Sequence, residues 1–192
     1  MTHRKLPPNI LLATALFILS LVWGLLMHPD FIDAMVEDLS QSLLPLGSLP
    51  PAVLFVVIFL NNAIKSLMAI VLGIAIAIPP FIFLCFNGFI IGAVVSVLQS
   101  RISNVLIIAS LAPHGIIEIP AVVVASALGL KVGFESIRFL INRRSNVKVQ
   151  LRQSLLIYAK WILAMLFVAA LIETFATPLL VERLGGIEVP VP

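Results

Sequence analysis

Apolar and polar positions alternate along this chain in long blocks. Five apolar runs are separated by short polar or proline-rich breaks. The first run, Ile10–Met27, follows Pro7, Pro8 and Asn9. Prolines are harmless where a helix has no use for their N–H, and Asn is a favoured cap, so a helix begins there. From Asp30 to Leu44 the pattern changes: Phe31, Ile32, Met35, Val36, Leu39 and Leu43 recur at helical spacing, with Asp30, Asp33, Glu37 and Asp38 between them. That pattern predicts an amphipathic helix on the membrane surface. Pro45, Gly47, Pro50 and Pro51 end it.

From Ala52 to Leu98 the chain is almost continuously apolar, too long for one crossing. Pro79-Pro80 divides it into a second span, Ala52–Ile78, and a third, Phe81–Leu98. The turn between them has only its own backbone as polar material, so protein or the interface must shelter it. A fourth span is expected over Val105–Leu128 and a fifth over Leu155–Leu180. Between those two, Val132, Ile137, Leu140 and Ile141 among Lys131, Arg138, Arg143, Arg144, Lys148 and Arg152 suggest a second surface helix.

The reading is therefore all-α: a polytopic transmembrane bundle of about five spans with one or two short amphipathic surface helices. Residues 1–51 form an N-terminal anchor and an extracytoplasmic amphipathic helix, 52–180 the polytopic core, and 181–192 an extracytoplasmic tail. Composition agrees, with 61% hydrophobic and 11% charged residues among 192 and a mean hydropathy of +1.17. Soluble domains carry about a quarter of their residues as charges. The net charge of +3 does not point to nucleic acid, because the basic residues flank spans, where they set topology and meet anionic lipid. Arg4 and Lys5 before the first span, and the basic connection before the fifth, fall on one side if there are five spans. The N-terminus is then cytoplasmic, in a multi-pass protein of the cell membrane. The first run is basic at its start but has no small-residue cleavage site before His28, so a retained helix is expected rather than a signal peptide. The lone Cys85, inside a span, has no partner for a disulfide or a cysteine metal site.

Chemistry is concentrated where polar residues enter the spans. Ser110, His114 and Glu118 follow one another at i, i+4 spacing on one helical face. Counted from the expected outer ends, Asn61, Asn62, Lys65, His114 and Glu118 all fall roughly 13–20 Å deep. Asn87 comes at about 17 Å and Glu173 at about 10 Å. Such agreement predicts one polar pocket of Asn62, Lys65, Asn87, Ser110, His114, Glu118 and Glu173. Ionisable groups at this depth cost several kcal/mol and are functional candidates. Pro113 and Pro120 free the carbonyls of Ala109 and Ile116, which the same pocket could satisfy. Two uses remain open: a Lys65–Glu118 pair with interhelical hydrogen bonds that fixes packing, or a divalent metal such as zinc on His114, Glu118 and Glu173. The spans contain one histidine and no H-E-x-x-H, G-x-S-x-G, phosphate loop or dinucleotide fingerprint, so no enzyme is expected. Gly88-x-x-x-Gly92 and Ala121-x-x-x-Ala125-x-x-x-Gly129 present small residues for close helix contact, within the bundle or in a homodimer.

Three stretches read together carry a resemblance: FLNNAIKSLMAIVLGIAIAIPPFIFLCFNGFIIG, LAPHGIIEIPAVVVASALGL and ALIETFATPLL. In their order of P-H-G-x-x-E and N-G-x-x-x-G elements, over about residues 52–180, they resemble the stage II sporulation protein M family of small prokaryotic membrane proteins. The resemblance makes Asn62, Asn87, Gly88, His114, Gly115, Glu118, Glu173 and Pro178 copies of the family's motif positions. It finds no such signal in the first 50 residues. The founding member resembles a scaffold that recruits peptidoglycan hydrolases during sporulation, and the family extends to organisms that form no spores. The resemblance thus implies a non-enzymatic scaffold or assembly factor, partnered by lipid, a second copy or an envelope protein. The alternative is a small-solute or cation-handling protein using the His114/Glu118 cluster.

Overall fold

In the computed structural model the described residues are 7–27, 32–38, 41, 48–142 and 145–185, without the side chains of His114 and Gly185. Arg4, Lys5, Arg143, Arg144, the flanks of the expected Asp30–Leu44 helix and residues 186–192 lie outside them. Among the described residues, five helices are long and apolar enough to cross a membrane. They are α1 (Pro8–Leu26), α3 (Pro51–Val71), α4 (Ile78–Gln99), α5 (Asn104–Asn142) and α6 (Val147–Leu184). A short α2 covers residues 32–38, within the predicted surface helix.

α5 is the centre of the bundle, the most buried of the five. On one side Val123, Ala127 and Leu130 pack with Ala13 and Phe17 of α1 and Leu84 of α4. On the other, Ala121 and Ala125 pack with Ala63 and Ile70 of α3 and with Tyr158, Ile162 and Leu166 of α6. The bundle is thus two helix pairs, α1/α4 and α3/α6, with α5 as a shared wall. Phe55 and Phe59 seal the second pair against the ring of Phe167, at centroid distances of 5.2 and 5.6 Å.

The closest contact joins α1 to α4. A Cβ on Gly92 would overlap the carbonyl oxygen of Leu21, one on Gly24 that of Phe89, and one on Gly88 the hydroxyl of Ser20. Ser20-x-x-x-Gly24 therefore meets Gly88-x-x-x-Gly92, small residues letting two backbones touch. Ser20 satisfies its own hydroxyl by donating to the Phe17 carbonyl at 2.9 Å.

Two boundaries differ from the sequence reading. The break between the second and third spans is not at Pro79-Pro80 but over Leu72–Ala77, and the prolines occupy the first turn of α4. There their missing N–H groups are no loss. Gly73 lies on Gly129 and Ala77 on Gly133, so α5 shelters the turn as its composition required. The turn also closes on itself, the Ala77 N–H donating to the Gly73 carbonyl at 3.1 Å. Ile76 and Ala77 adopt positive φ of 57° and 64°, a conformation costly for a β-branched residue. Secondly, α5 continues unbroken to Asn142, absorbing the expected second surface helix. Gly129 and Gly133 do not break it, because each is where a neighbour's backbone sits. Ser145 then folds the connection back, its hydroxyl donating to the Glu135 carbonyl at 2.8 Å.

At the opposite end α2 rests on α4. Ile32 is fully buried with Ala93 and Val97, and Met35 and Val36 pack beside them. Arg101 reaches back to Asp33 at 3.7 Å and Glu37 at 4.0 Å, so this lone basic residue of its loop holds the surface helix.

Candidate functional site

Helix register decides which polar side chains can meet. α3 and α5 run in the same direction, with Gly129 against Ala69. Gly129 comes about 25 residues into α5 and Ala69 about 18 into α3, so α5 starts about seven residues, roughly 10 Å, farther out. Counting depth from each helix start therefore misplaced the two sets relative to one another. Lys65 is level with Ala125, and Glu118 with Ile58. α4 runs opposite to α5 with Ala77 on Gly133, which puts Asn87 level with Val123, close to the level of Asn62. Glu173 lies six residues beyond Phe167, whose ring packs on Phe55 and Phe59, and so is farther out again. The single expected level is thus spread over several: Asn62, Lys65 and Asn87 in the middle of the bundle, Glu118 about one turn outside Asn62, and Glu173 farther out still.

Lys65 of the inner group borders a groove. α3 and α4 share little contact although they are consecutive, and between them lies a cleft of about 170 Å³ lined by Lys65, Met68, Ala69, Leu72, Pro79 and Phe83. Lys65 is exposed along this groove, and Asn61, one turn before it, is exposed too. Asn61 donates its side-chain amide to the Oδ1 of Asn62 at 3.3 Å. Asn87 stands one turn beyond Phe83 on the same helical stripe and donates to the Phe83 carbonyl at 2.7 Å. The expected Lys65–Glu118 pair does not form among the described residues.

Toward the outer end, Glu118 and Glu173 are half-buried and each takes part in a polar interaction. Glu173 occupies a π-turn, Ile172–Ala176, where the i→i+5 spacing widens the helix. Thr177 closes that turn, its N–H and its hydroxyl both donating to the Ile172 carbonyl, the latter at 3.2 Å. Ser110 donates to its own Ile107 carbonyl at 3.0 Å. The side chain of His114 lies outside the described residues, and with it the expected metal set of His114, Glu118 and Glu173. Among the described residues no group of three His, Cys, Asp or Glu could hold a metal ion.

The structure also adds polar features that the sequence did not disclose. Tyr158, in the first π-turn of α6 (Tyr158–Ile162), donates its hydroxyl to the Ala63 carbonyl of α3 at 2.7 Å. Nothing in the sequence marked it beyond its being the chain's one tyrosine. The hydroxyls of Ser66, Ser126 and Thr174 are buried with no hydrogen-bond partner among the described residues. Ser66 and Ser126 each lie one turn before the Ala69/Gly129 contact, facing the same packed seam.

The small-residue motifs are used inside the chain. Gly88 and Gly92 receive α1, Ala121 and Ala125 receive α3 and α6, and Gly129 receives α3, where an added Cβ would come within 2.9 Å of the Pro80 Cβ. Of their two expected uses, intramolecular packing is the one these contacts display, and none of the five is left open to a second copy.

Comparison with known proteins supplies the remaining context. The family described as Stage II sporulation protein M matches residues 13–178. The match reaches into α1, well before residue 52, where the motif resemblance begins. An uncharacterized protein of Methanocaldococcus jannaschii is 27% identical over 182 residues, covering 91% of this chain and 95% of that one. No solved structure matches.

Proposed function

Because this chain belongs to the stage II sporulation protein M family, we propose that it is a non-enzymatic scaffold or assembly factor, holding other membrane or envelope proteins in place. One observation carries this reading. The bundle interior is closed by apolar clusters on both faces of α5 and by glycine contacts between backbones. Lys65 of α3 instead borders a groove against Pro79 and Phe83 of α4, open sideways, in the plane from which another membrane helix would arrive. A conducting path would want polar groups at successive depths through the middle.

The membrane orientation belongs to the same proposal. Lys131, Arg138, Lys148 and Arg152 lie at the end of the bundle that holds the Leu72–Ala77 turn, and α2 with its acidic residues lies at the other. Excess Lys and Arg mark the cytoplasmic side, so the α5–α6 connection faces the cytoplasm.

Cross-linking mass spectrometry on native membranes tests the scaffold, with purified protein in liposomes as the counter-assay. The expected result is reproducible links to a small set of membrane or envelope proteins, with no flux of divalent cations. Ion flux above empty liposomes, or cross-links to lipid-anchored reagents alone, would overturn it.

A further inference from the structure

We propose that the groove between α3 and α4 docks a transmembrane helix of a partner protein, and that Lys65 pairs there with a carboxylate of that helix. This deepens the scaffold reading and rests on it for the partner being a protein.

Lys65 is the reason. It lies about nine residues before the end of the span Pro51–Ile74 and about 14 after its start. At 1.5 Å per residue that is about 14 Å from one end and about 21 Å from the other. The span is about 36 Å long against a hydrocarbon core of about 30 Å, so the nearer boundary is still about 11 Å away. An extended lysine reaches about 6 Å, and its Cβ tilts toward the helix N-terminus, away from that nearer boundary. Snorkelling to either surface is therefore out of reach, which also removes lipid phosphate as the partner. A bare cation at this depth costs several kcal/mol, and among the described residues Lys65 has no carboxylate of its own.

The surroundings fit a helix. Ile64 and Met68 of α3 and Ile82 and Phe86 of α4 are exposed beside the groove, and Asn61 and Asn62, bonded to each other at 3.3 Å, precede Lys65 by about one helical turn. A second copy is the poorer occupant. If two copies met by a two-fold axis along the membrane normal, α3 against α3, residues of equal depth would meet and Lys65 would face Lys65. Charge complementarity selects an acidic helix from elsewhere.

The test places the full chain in phosphatidylcholine vesicles with a fluorescent leucine-alanine helix of about 20 residues carrying one central Asp, and a second helix carrying Leu there. Energy transfer measures association. Wild type is expected to bind the Asp helix at least about tenfold more tightly than the Leu helix, a difference of about 1.4 kcal/mol. Lys65→Met should abolish the preference and Lys65→Arg should keep it, with unfolding midpoints showing that both variants fold. Moving the Asp two turns off centre should lose it as well. Equal binding of both helices by wild type, an unchanged preference in Lys65→Met, or a peptide-free dimer dispersed by Lys65→Met would overturn the proposal. Native cross-links that survive Lys65→Met would sink the groove and leave the scaffold standing. Native membranes with no protein cross-links would sink the scaffold itself.

Discussion

A methyl group on Gly92 should separate the first helix from the fourth. Its nearest neighbours would be backbone atoms of α1, the Leu25 nitrogen at 2.9 Å and the Leu21 carbonyl carbon at 3.0 Å, with the Leu21 oxygen closer still. Backbone cannot rotate aside as a side chain can, so α1 must retreat by up to about 1 Å, a gap that forfeits a quarter to a half of each dispersion contact along the crossing. With about 20 atom pairs at about 0.1–0.2 kcal/mol each, the loss is about 0.5–2 kcal/mol, within the range of about 1–3 kcal/mol typical of overpacking. Glycine to alanine also gains about 1 kcal/mol of helix propensity, which would mask part of it. Gly115→Ala provides the reference, because there, among the described residues, the new Cβ meets Ile119 Cδ1 at an ordinary 3.5 Å. Both substitutions share the propensity gain, so their difference isolates the steric cost at about 1–3 kcal/mol. Trp23 reports on the event directly, with its ring 5.1 Å from Phe89 across the crossing. Trp161→Phe removes the chain's only other tryptophan. Unfolding in mixed micelles should then show Gly92→Ala least stable, Gly115→Ala most stable, and a red-shifted Trp23 in the former. Equal stabilities within about 0.5 kcal/mol, or a halved particle mass without loss of stability, would refute the intramolecular crossing.

Further outcomes follow from single contacts. Tyr158→Phe removes the hydroxyl that reaches the Ala63 carbonyl and should cost about 0.5–1.5 kcal/mol in the same unfolding assay. Ile76→Gly relieves a positive φ of 57° and should stabilise by about 1 kcal/mol, read as a raised midpoint; a lowered one would deny the strained turn. Arg101→Ala breaks only exposed pairs, so global stability should change by less than about 1 kcal/mol while hydrogen exchange speeds up across residues 32–38. A cysteine at Asn146, in a Cys85→Ser background, should resist impermeant thiol reagents in intact cells and react after permeabilisation.

Periodicity and apolar length made the five spans legible, because a bilayer demands about 20 apolar residues per helix and nothing subtler. Ile32, Met35 and Val36 likewise announced α2 by their spacing. What stayed hidden was register. Depth counted from Pro51 and from Asn104 treats every helix as starting at one plane, and α5 overshoots α3 by about 10 Å. Hence Lys65 and Glu118 looked like neighbours and are not. The double proline misled for a related reason: Pro79 and Pro80 are as compatible with a first helical turn as with a break, and only the docking of Gly73 and Ala77 on α5 distinguishes the two. Gly88 and Gly92 were recognisable as contact residues, but the identity of their partner needed Gly24 and Ser20 to be seen on the facing helix. The Tyr158 bond depends on a π-turn, which leaves no mark in hydropathy.

The alternation of the two helix pairs along the chain also sets a timetable for synthesis. α1 leaves the ribosome first, yet Gly88, against which Ser20 must close, follows Gly24 by 64 residues. At about 5–20 residues per second that interval is about 3–13 s. α3 arrives in between and belongs to the other pair, and its small residues must await the later half of α5. A nascent chain therefore spends seconds in the bilayer with two unrelated helices and no interhelical core. During that time the Ser20–Gly24 face of one chain is open to the fourth helix of a neighbour on the same messenger. Crowded polysomes should yield exchanged first helices, and slow, sparse translation should not.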